Sequence, residues 1–271
     1  MIIQKQNGTS FDIADYGLIR LFHHIPSASI THTSLTVEGR GDIITSSTIG
    51  GRTISVEFGF RVTDIYDYYL LRDELNALFL LDEPFYIIFK REPYKRWKVR
   101  LSGQFMVEPT TRIKSFTVDF VTEKPFAESV GTSLDLQNRK ESDVNLWGHG
   151  MGIDSDKEYF YRFASNDFVV DNIGNVAVNP RMHDLEITLK GTFSSSVKIT
   201  NKTTGDVFQY NRGLSSTDEL KVKGVRTLKN GVSDFKNTNK KLLTLATGNN
   251  QISVEGGTVE SIAFNFRFLY K

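Results

Sequence analysis

The chain has no cysteine. That excludes disulfides, thiol nucleophiles and cysteine-ligated zinc, and it fits synthesis in a reducing cytoplasm. Neither sign of charge is in excess: 33 Lys and Arg face 32 Asp and Glu, for a net +1. No bulk field therefore draws the chain to nucleic acid or to an anionic membrane. A long apolar run is missing as well. The densest, Leu75 to Leu81, is broken by Asn76 and falls far short of the roughly 20 residues a membrane helix needs. The opening MIIQKQNGTSFD lacks the apolar core of a signal peptide. No membrane insertion is expected. Without a secretion signal, the acceptor patterns at Asn7-Gly8-Thr9 and Asn201-Lys202-Thr203 carry little weight.

Catalytic signatures are equally sparse. Five histidines occur, His23, His24, His32, His149 and His183, with neither an i, i+4 pair nor an HExxH among them. His23 and His24 are adjacent, so on a strand they face opposite ways. There is no GxSxG elbow, no GxxxxGK[ST] and no strand-linked GxGxxG. Gly148-His149-Gly150-Met151-Gly152 has the wrong spacing for a phosphate loop and reads as a bend. A glycosidase needs only two carboxylates that meet in space, and the Asp and Glu density here is ordinary. The sequence thus nominates no catalytic residue, no metal ligand and no cofactor.

What is present points to strands. Of 271 residues, 39% are hydrophobic and 12% aromatic, with 20 Phe and 10 Tyr. That is enough for one large or two ordinary domains, with a bias towards β-structure. Thr36 to Val62 is the clearest stretch. It ends with Ile54, Val56, Phe58, Phe60 and Val62 alternating against Thr53, Ser55, Glu57, Gly59 and Arg61, the period-two pattern of a strand with one buried face. Gly50-Gly51 before it is expected to supply positive φ for a tight hairpin turn. A helix follows, capped by Thr63 or Asp64. Tyr68, Leu71, Leu75 and Leu78 give it one apolar stripe, and Asp82-Glu83-Pro84 ends it. Phe85 to Phe89 reads as a buried strand, Lys90 to Arg96 as a polar tip, and Trp97-Val99-Leu101 and Phe116-Val118-Phe120 as further strands.

Two short motifs invite functional readings. Arg40-Gly41-Asp42 matches an adhesion tripeptide, but a hairpin turn suffices to explain Gly and Asp there. Lys90, Arg91, Lys95, Arg96, Lys98 and Arg100 cluster with Tyr94 and Trp97. Basic residues interleaved with aromatics suit single-stranded nucleic acid. The near-neutral chain and the absence of a recognition module favour a solvated strand end or a contact with an acidic partner.

Glu128 to Asp143 is polar, and a boundary near its start divides the chain into residues 1–130 and 131–271. The second half shows no helix pattern. Leu185-Ile187-Leu189, Val197-Ile199, Phe208-Tyr210, Leu220-Val222, Ile252-Val254 and Ile262 to Tyr270 read as short strands. Lys202 to Asp206 and Gly248-Asn249-Asn250 read as turns between them, so an antiparallel sandwich is expected.

The order of these features carries a resemblance: Val37 to Arg40, a Gly51-Arg52 strand, a helix, then Phe116 to Phe126 closing on Lys124-Pro125-Phe126. It resembles the N-terminal domain of the distal tail proteins of long-tailed, non-contractile phages of Gram-positive hosts. Asn172 to Pro180, Leu185 to Gly191, Asn201 to Gly205, Gly248 to Val254 and Ile262 to Tyr270 resemble that family's C-terminal, galectin-like sandwich. One departure is visible. The turn reads Gly39-Arg40-Gly41-Asp42 where the family pattern is Gly-Arg-Asp-Gly.

The resemblance implies a mainly-β fold: an N-terminal β-sandwich or split-barrel-like domain with one α-helix, then a galectin-like antiparallel β-sandwich. It implies a homo-oligomer, a hexameric ring at the virion tail tip, with back-to-back rings in isolation, made in the cytoplasm of the bacterial host. The ring joins the tail tube protein to a hub or tail-associated lysin protein and leaves a channel for DNA without sequence-specific nucleic-acid binding. The C-terminal domains hold receptor-binding proteins. Gly50, Gly51 and Arg52, and the arm residues Lys90, Arg91, Tyr94, Arg96 and Trp97, are the expected assembly contacts. The polar face Thr53, Ser55, Glu57 and Arg61 is a further candidate.

Two other classes compete. A galectin-like module for cell-wall saccharides needs a stacking Trp with an ordered His, Asn, Arg and Glu set. The second half offers Trp147 near its entry and His183 near Arg181, with no such set following. A tail-associated hydrolase lacks any nucleophile, metal or elbow motif.

Overall fold

In the first half, apolar alternation builds one sheet and the helix stripe covers it. The computed structural model describes residues 1–108, 113–140 and 142–271. The chain divides into two units, Met1–Ala127 and Glu128–Lys271. The strands of the first unit are β1 (Ile2–Gln4), β2 (Ser10–Asp12), β3 (Ile19–His24), β4 (Ile30–Val37), β5 (Gly41–Ile49), β6 (Thr53–Phe60), β7 (Phe85–Ile88), β8 (Lys95–Leu101) and β9 (Lys114–Thr122). Seven of them form an antiparallel sheet in the order β2-β1-β7-β8-β9-β6-β3.

Ile54, Val56, Phe58 and Phe60 are buried as their alternation requires, and so are Phe116, Val118 and Phe120 opposite them on β9. Helix α1 (Ile65–Phe79) is capped by Asp64, whose carboxylate accepts from the N–H groups of Tyr66 (2.8 Å) and Asp67 (2.9 Å). Its stripe Tyr68, Leu71, Leu75 and Leu78 is buried. Phe79 at its end touches Phe58 and Phe120, with ring centroids 5.6 and 5.7 Å away. The helix therefore seals the aromatic face of β6 and β9.

The stretch Thr36 to Val62 is not one hairpin. β5 pairs backwards with β4, from Ile30↔Ile49 to Val37↔Gly41, as a separate two-stranded ribbon. β6 pairs with β3 and β9 instead. Gly50 and Gly51 mark the exit from ribbon to sheet, and neither has positive φ. They are glycine because backbone and side chain crowd them. A Cβ on Gly51 would lie 2.5 Å from the Thr122 carbonyl oxygen, and one on Gly50 would lie 2.4 Å from Ser29 Oγ.

Strand β10 (Ala127–Ser129) leads in sequence from one unit to the other. The second unit then contains a short helix, α2 (Ser133–Gln137), closed by a capping box between Thr132 and Asp135. This helix lies in a region the sequence pattern leaves without one. The strands are β11 (Arg162–Phe163), β12 (Asp167–Asn172), β13 (Leu185–Asn201), β14 (Asp206–Tyr210), β15 (Leu220–Lys223), β16 (Arg226–Lys229), β17 (Val232–Ser233), β18 (Gly248–Phe266) and β19 (Leu269–Tyr270).

Two long strands organise the second unit. β13 and β18 pair along almost their whole length, with register shifts at Lys190/Gly191 and Phe193/Lys198. Before the bends they pair with β11, β15 and, through β15, with β16 and β17. Beyond the bends they pair with β12 and β14. Gly256 makes the turn possible: it has φ +104°, and a Cβ there would meet the Ser196 carbonyl oxygen at 2.1 Å. What reads in the sequence as four short strands is thus two strands bent between layers. Gly248 to Asn250 is not a turn but the start of β18. Asn250 is buried there, accepting from Ala246 N–H and donating to the carbonyls of Ala246 and Gly248. The core between the layers is apolar, with Ile187, Leu189, Ile199, Phe208, Tyr210, Ile252, Val254 and Phe264 all buried.

Candidate assembly surface

Of the expected contact residues, some turn out to be internal fittings of the first unit. Arg52 is half-buried. Its Nε donates to the Pro125 carbonyl (2.8 Å) and its Nη1 to the Pro26 carbonyl (3.0 Å), while its guanidinium lies 5.2 Å from the centre of the Trp97 ring. Its backbone N–H donates to Thr122 Oγ1 (2.8 Å) and its carbonyl accepts from Thr122 N–H (2.9 Å). Arg52 clamps the sheet to the segments that flank it. Trp97 is 6% exposed and Arg96 is 9% exposed. Arg96 donates to Gln4 Oε1 (3.2 Å) and packs 3.8 Å over the Tyr86 ring.

The arm expected over Lys90 to Trp97 is shorter than its charge pattern implies. Lys95, Arg96 and Trp97 are already strand β8. The turn between β7 and β8 runs from Phe89 to Tyr94, closed by Glu92 N–H to the Phe89 carbonyl (2.9 Å) and Lys95 N–H to the Glu92 carbonyl (3.2 Å). At its tip Lys90 is tied to Asp12 at 2.5 Å. Arg91 is exposed and Tyr94 half-buried. Of the polar face of β6, Thr53 and Arg61 are exposed, whereas Ser55 donates to Asp119 Oδ1 at 2.6 Å within the sheet.

The open apolar surface lies elsewhere. β3 is an edge strand with a register shift between Arg20 and Phe22. Ile19, Leu21 and Phe22 are 67%, 53% and 62% exposed. On the ribbon Ile30, Leu35, Ile43, Ile44 and Ile49 are exposed too. Alternation puts Leu35 and Ile43 together on one face near the tip, and Ile30 with Ile49 on the other face at its base. At the tip, Arg40 N–H donates to the Val37 carbonyl (3.0 Å) and Thr36 Oγ1 to Asp42 Oδ1 (2.6 Å). The Arg-Gly-Asp string therefore runs from the ribbon's closing turn into β5. Inside β3, His23 stacks on Phe89 with centroids 4.0 Å apart. Burial pushes its imidazole below the usual range, and the neighbouring Arg20 charge adds to that.

Sequence reasoning misses this surface because its apolar residues are scattered among Ser and Thr and obey no single periodicity. The unpaired edge of β3 and an isolated two-stranded ribbon are both unusual in a finished structure. Natural sheets protect their edges, and a two-stranded hairpin alone in water is marginal. Among the described residues no helix is long and apolar enough to cross a membrane, and no three His, Asp or Glu side chains gather as metal ligands.

Residues 6–122 match the model of the phage tail protein RIFT-related domain. The first unit is similar to that phage tail domain. Its matched span runs from just after β1 to the end of β9 and contains both the ribbon and the edge strand. The two units together have the fold of the Dit protein (gp 19.1) of phage SPP1, described as a paradigm of the hub adsorption apparatus in Gram-positive-infecting phages. The match has a TM-score of 0.72 at 16% identity and covers 98% of both chains. A chain of the phage P2 baseplate in its activated conformation with calcium is also similar, with a TM-score of 0.51 at 9% identity, covering 98% of this chain and 97% of that one. No curated protein matches by sequence.

Proposed function

We propose that this protein is a structural component of a phage tail tip: a ring that joins the tail tube to a central hub. The observation that carries the reading is the tail domain's unfinished surface. An edge strand and an uncovered ribbon both present apolar side chains and unpaired backbone groups. A second copy answers both needs, since strand addition supplies main-chain hydrogen bonds and the side chains supply apolar burial. In this reading β3 and the ribbon of one copy meet the opposite edge, β2, of the next; such a contact is head-to-tail, and a head-to-tail contact that closes makes a ring.

The resemblance to distal tail proteins supports a reading with six subunits, a DNA channel, and tube, hub and receptor-binding proteins as neighbours. The near-neutral chain suits a channel through which DNA passes without being held by phosphate contacts. Of the expected contacts, Gly50 and Gly51 act by letting the ribbon leave the sheet. Arg52, Arg96 and Trp97 act by holding the strands that present the surface. Arg91, Lys90 and Tyr94 remain as direct contacts at the β7–β8 turn.

Light scattering on the purified chain, with its hub partner added where needed, tests this. The expected mass is six times 30.7 kDa, and the pair Ile43→Asp, Ile44→Asp reduces it to the monomer while leaving the circular dichroism unchanged. A wild-type chain that stays monomeric with partner present, or a ribbon variant that assembles normally, overturns the reading.

A further inference from the structure

The outer face of the second unit carries a groove whose chemistry the tail-tip role does not use. Across four neighbouring strands the ladder sets Asn265 opposite Glu186, Glu186 opposite Lys223, and Lys223 opposite Arg226. Over this row opens a groove of about 600 Å³, with Thr132, Arg181, His183 and Arg267 on its other walls. A second hollow of about 370 Å³ continues from it past Arg162, Lys190 and Ser261, sharing Glu186 and Asn265. Arg226 and Asn265 stand three strand spacings apart, roughly 14 Å. The site is a trough rather than a hole.

Its walls are firmly built. The Asn179 carbonyl accepts from Met182 N–H (2.9 Å) and His183 N–H (2.8 Å), and Asn179 Oδ1 accepts from Arg181 N–H (3.0 Å). The Asn179 N–H donates to His183 Nδ1 (3.1 Å), which places the imidazole proton on Nε2. Opposite, the two-residue turn Gly224-Val225 joins Lys223 to Arg226 and is fastened by Gly224 N–H to the Leu185 carbonyl (2.9 Å).

The charges are unevenly satisfied. Glu186 is held by Lys221 (3.3 Å) and Lys223 (3.5 Å), and Arg267 donates through Nη1 to the carbonyls of Ser129 (3.0 Å) and Val130. The guanidinium groups of Arg181 and Arg226 make no hydrogen bond or ion pair among the described residues. Four cationic side chains, Arg181, Lys223, Arg226 and Arg267, face two carboxylates, Asp184 and Glu186. Asn265 Oδ1 is buried with no donor to satisfy it.

Each feature names part of a ligand. Uncommitted guanidinium groups suit phosphate or carboxylate. A buried carboxamide oxygen without a donor calls for a hydroxyl. The trough's length calls for a chain of several units. The two rings on its walls, Phe266 and the His183 imidazole, are both buried, at 2% and 8% exposed, so neither offers a face for stacking a neutral sugar or a base. We propose that the trough binds an anionic, hydroxyl-bearing oligomer, with its phosphate or carboxylate between Arg181 and Arg226 and a hydroxyl donating to Asn265. This does not depend on the ring reading, since every residue involved lies in the second unit.

Calorimetric titration of the full chain tests it with four probes: a phosphodiester-linked glycerol phosphate trimer, inorganic phosphate, maltotriose and hexaglutamate. The trimer is expected to bind more tightly than the other three and to weaken as salt is raised. The double variant Arg181→Ala, Arg226→Ala is expected to weaken it at least tenfold and Asn265→Leu at least threefold. Both arginines are exposed, so unchanged melting of the double variant is the folding control. The double Lys variant is expected to recover part of the affinity. Four results overturn the proposal: no binding of the trimer, indifference to the arginine pair, maltotriose or inorganic phosphate binding as well as the trimer, or hexaglutamate binding more tightly.

Discussion

Arg52→Ala is expected to damage the fold of the first unit rather than the candidate assembly surface. The change removes two charge-assisted hydrogen bonds, to the Pro26 and Pro125 carbonyls, and the contact with the Trp97 ring. Such bonds contribute about 1.5–3 kcal/mol each when fully buried. Arg52 is half-exposed, and water replaces part of what is lost, so about 1 kcal/mol each is appropriate here. The cation–π contact adds about 1 kcal/mol, for a total near 3. For a unit spanning Met1–Ala127, the usual unfolding entropy gives about 0.27 kcal/mol per degree. The melting temperature of that unit therefore falls by about 11 °C. Arg52→Lys keeps the charge but cannot fork to two carbonyls, so about half that shift is expected. Scanning calorimetry measures it, read against Trp97 fluorescence in a Trp147→Phe background. A shift under about 2 °C for Arg52→Ala would refute the clamp argument. A loss of oligomer mass at temperatures where the unit is still folded would return Arg52 to the interface.

Further expectations follow from the same geometry. Asp64→Ala removes the cap of α1 and costs about 1 kcal/mol, read as a shift in the urea midpoint. Gly51→Ala forces a Cβ against the Thr122 carbonyl and costs about 1–3 kcal/mol by overpacking, whereas Gly39→Ala at the ribbon tip, strained only by its positive φ, costs about 1 kcal/mol. Hydrogen bonds from Ser215 N–H first, then from Asn230, Lys229 and Ser215 Oγ, hold the Asp218 carboxyl well below the usual carboxylate range. Because its folded pKa is depressed, its contribution is complete above the unfolded carboxylate pKa and fades as pH falls through the folded one. Asp218→Asn should therefore lower the denaturant midpoint of the second unit at pH 7 by more than it does at pH 2.

The legible parts of the sequence were those where one face is buried and the other wet. Ile54, Val56, Phe58 and Phe60 spelled out β6, and Tyr68, Leu71, Leu75 and Leu78 spelled out α1. Lys202 to Asp206 marked a hairpin whose Gly205 takes the positive φ expected of it. The ribbon was not legible, because both its faces are solvent-facing within this chain and Thr, Ser and Ile fall on each. Gly50-Gly51 was misread because two reasons for glycine, positive φ and close approach, leave the same letter in the sequence. The roles of Arg52 and Arg96 were hidden for another reason. Their partners are carbonyls, a glutamine and rings as many as 92 residues away, and a basic cluster in sequence says nothing about which members the fold consumes. In the second unit Gly191 and Gly256-Gly257 looked like gaps between strands because a bent strand and a broken one share the same small residues. The trough left no linear trace, since Arg181, Arg226 and Asn265 are brought together by strand pairing alone.

The bend in β13 and β18 governs how the second unit can come apart. Because the same two strands run through both layers, neither layer has a border across which it can peel away. Opening one means withdrawing strands the other also needs. The unit should therefore lose its structure in one step, with amide exchange across Ile187, Ile199, Ile252 and Phe264 converging on a single free energy. A body of that kind transmits a pull on one edge to the opposite edge instead of yielding locally.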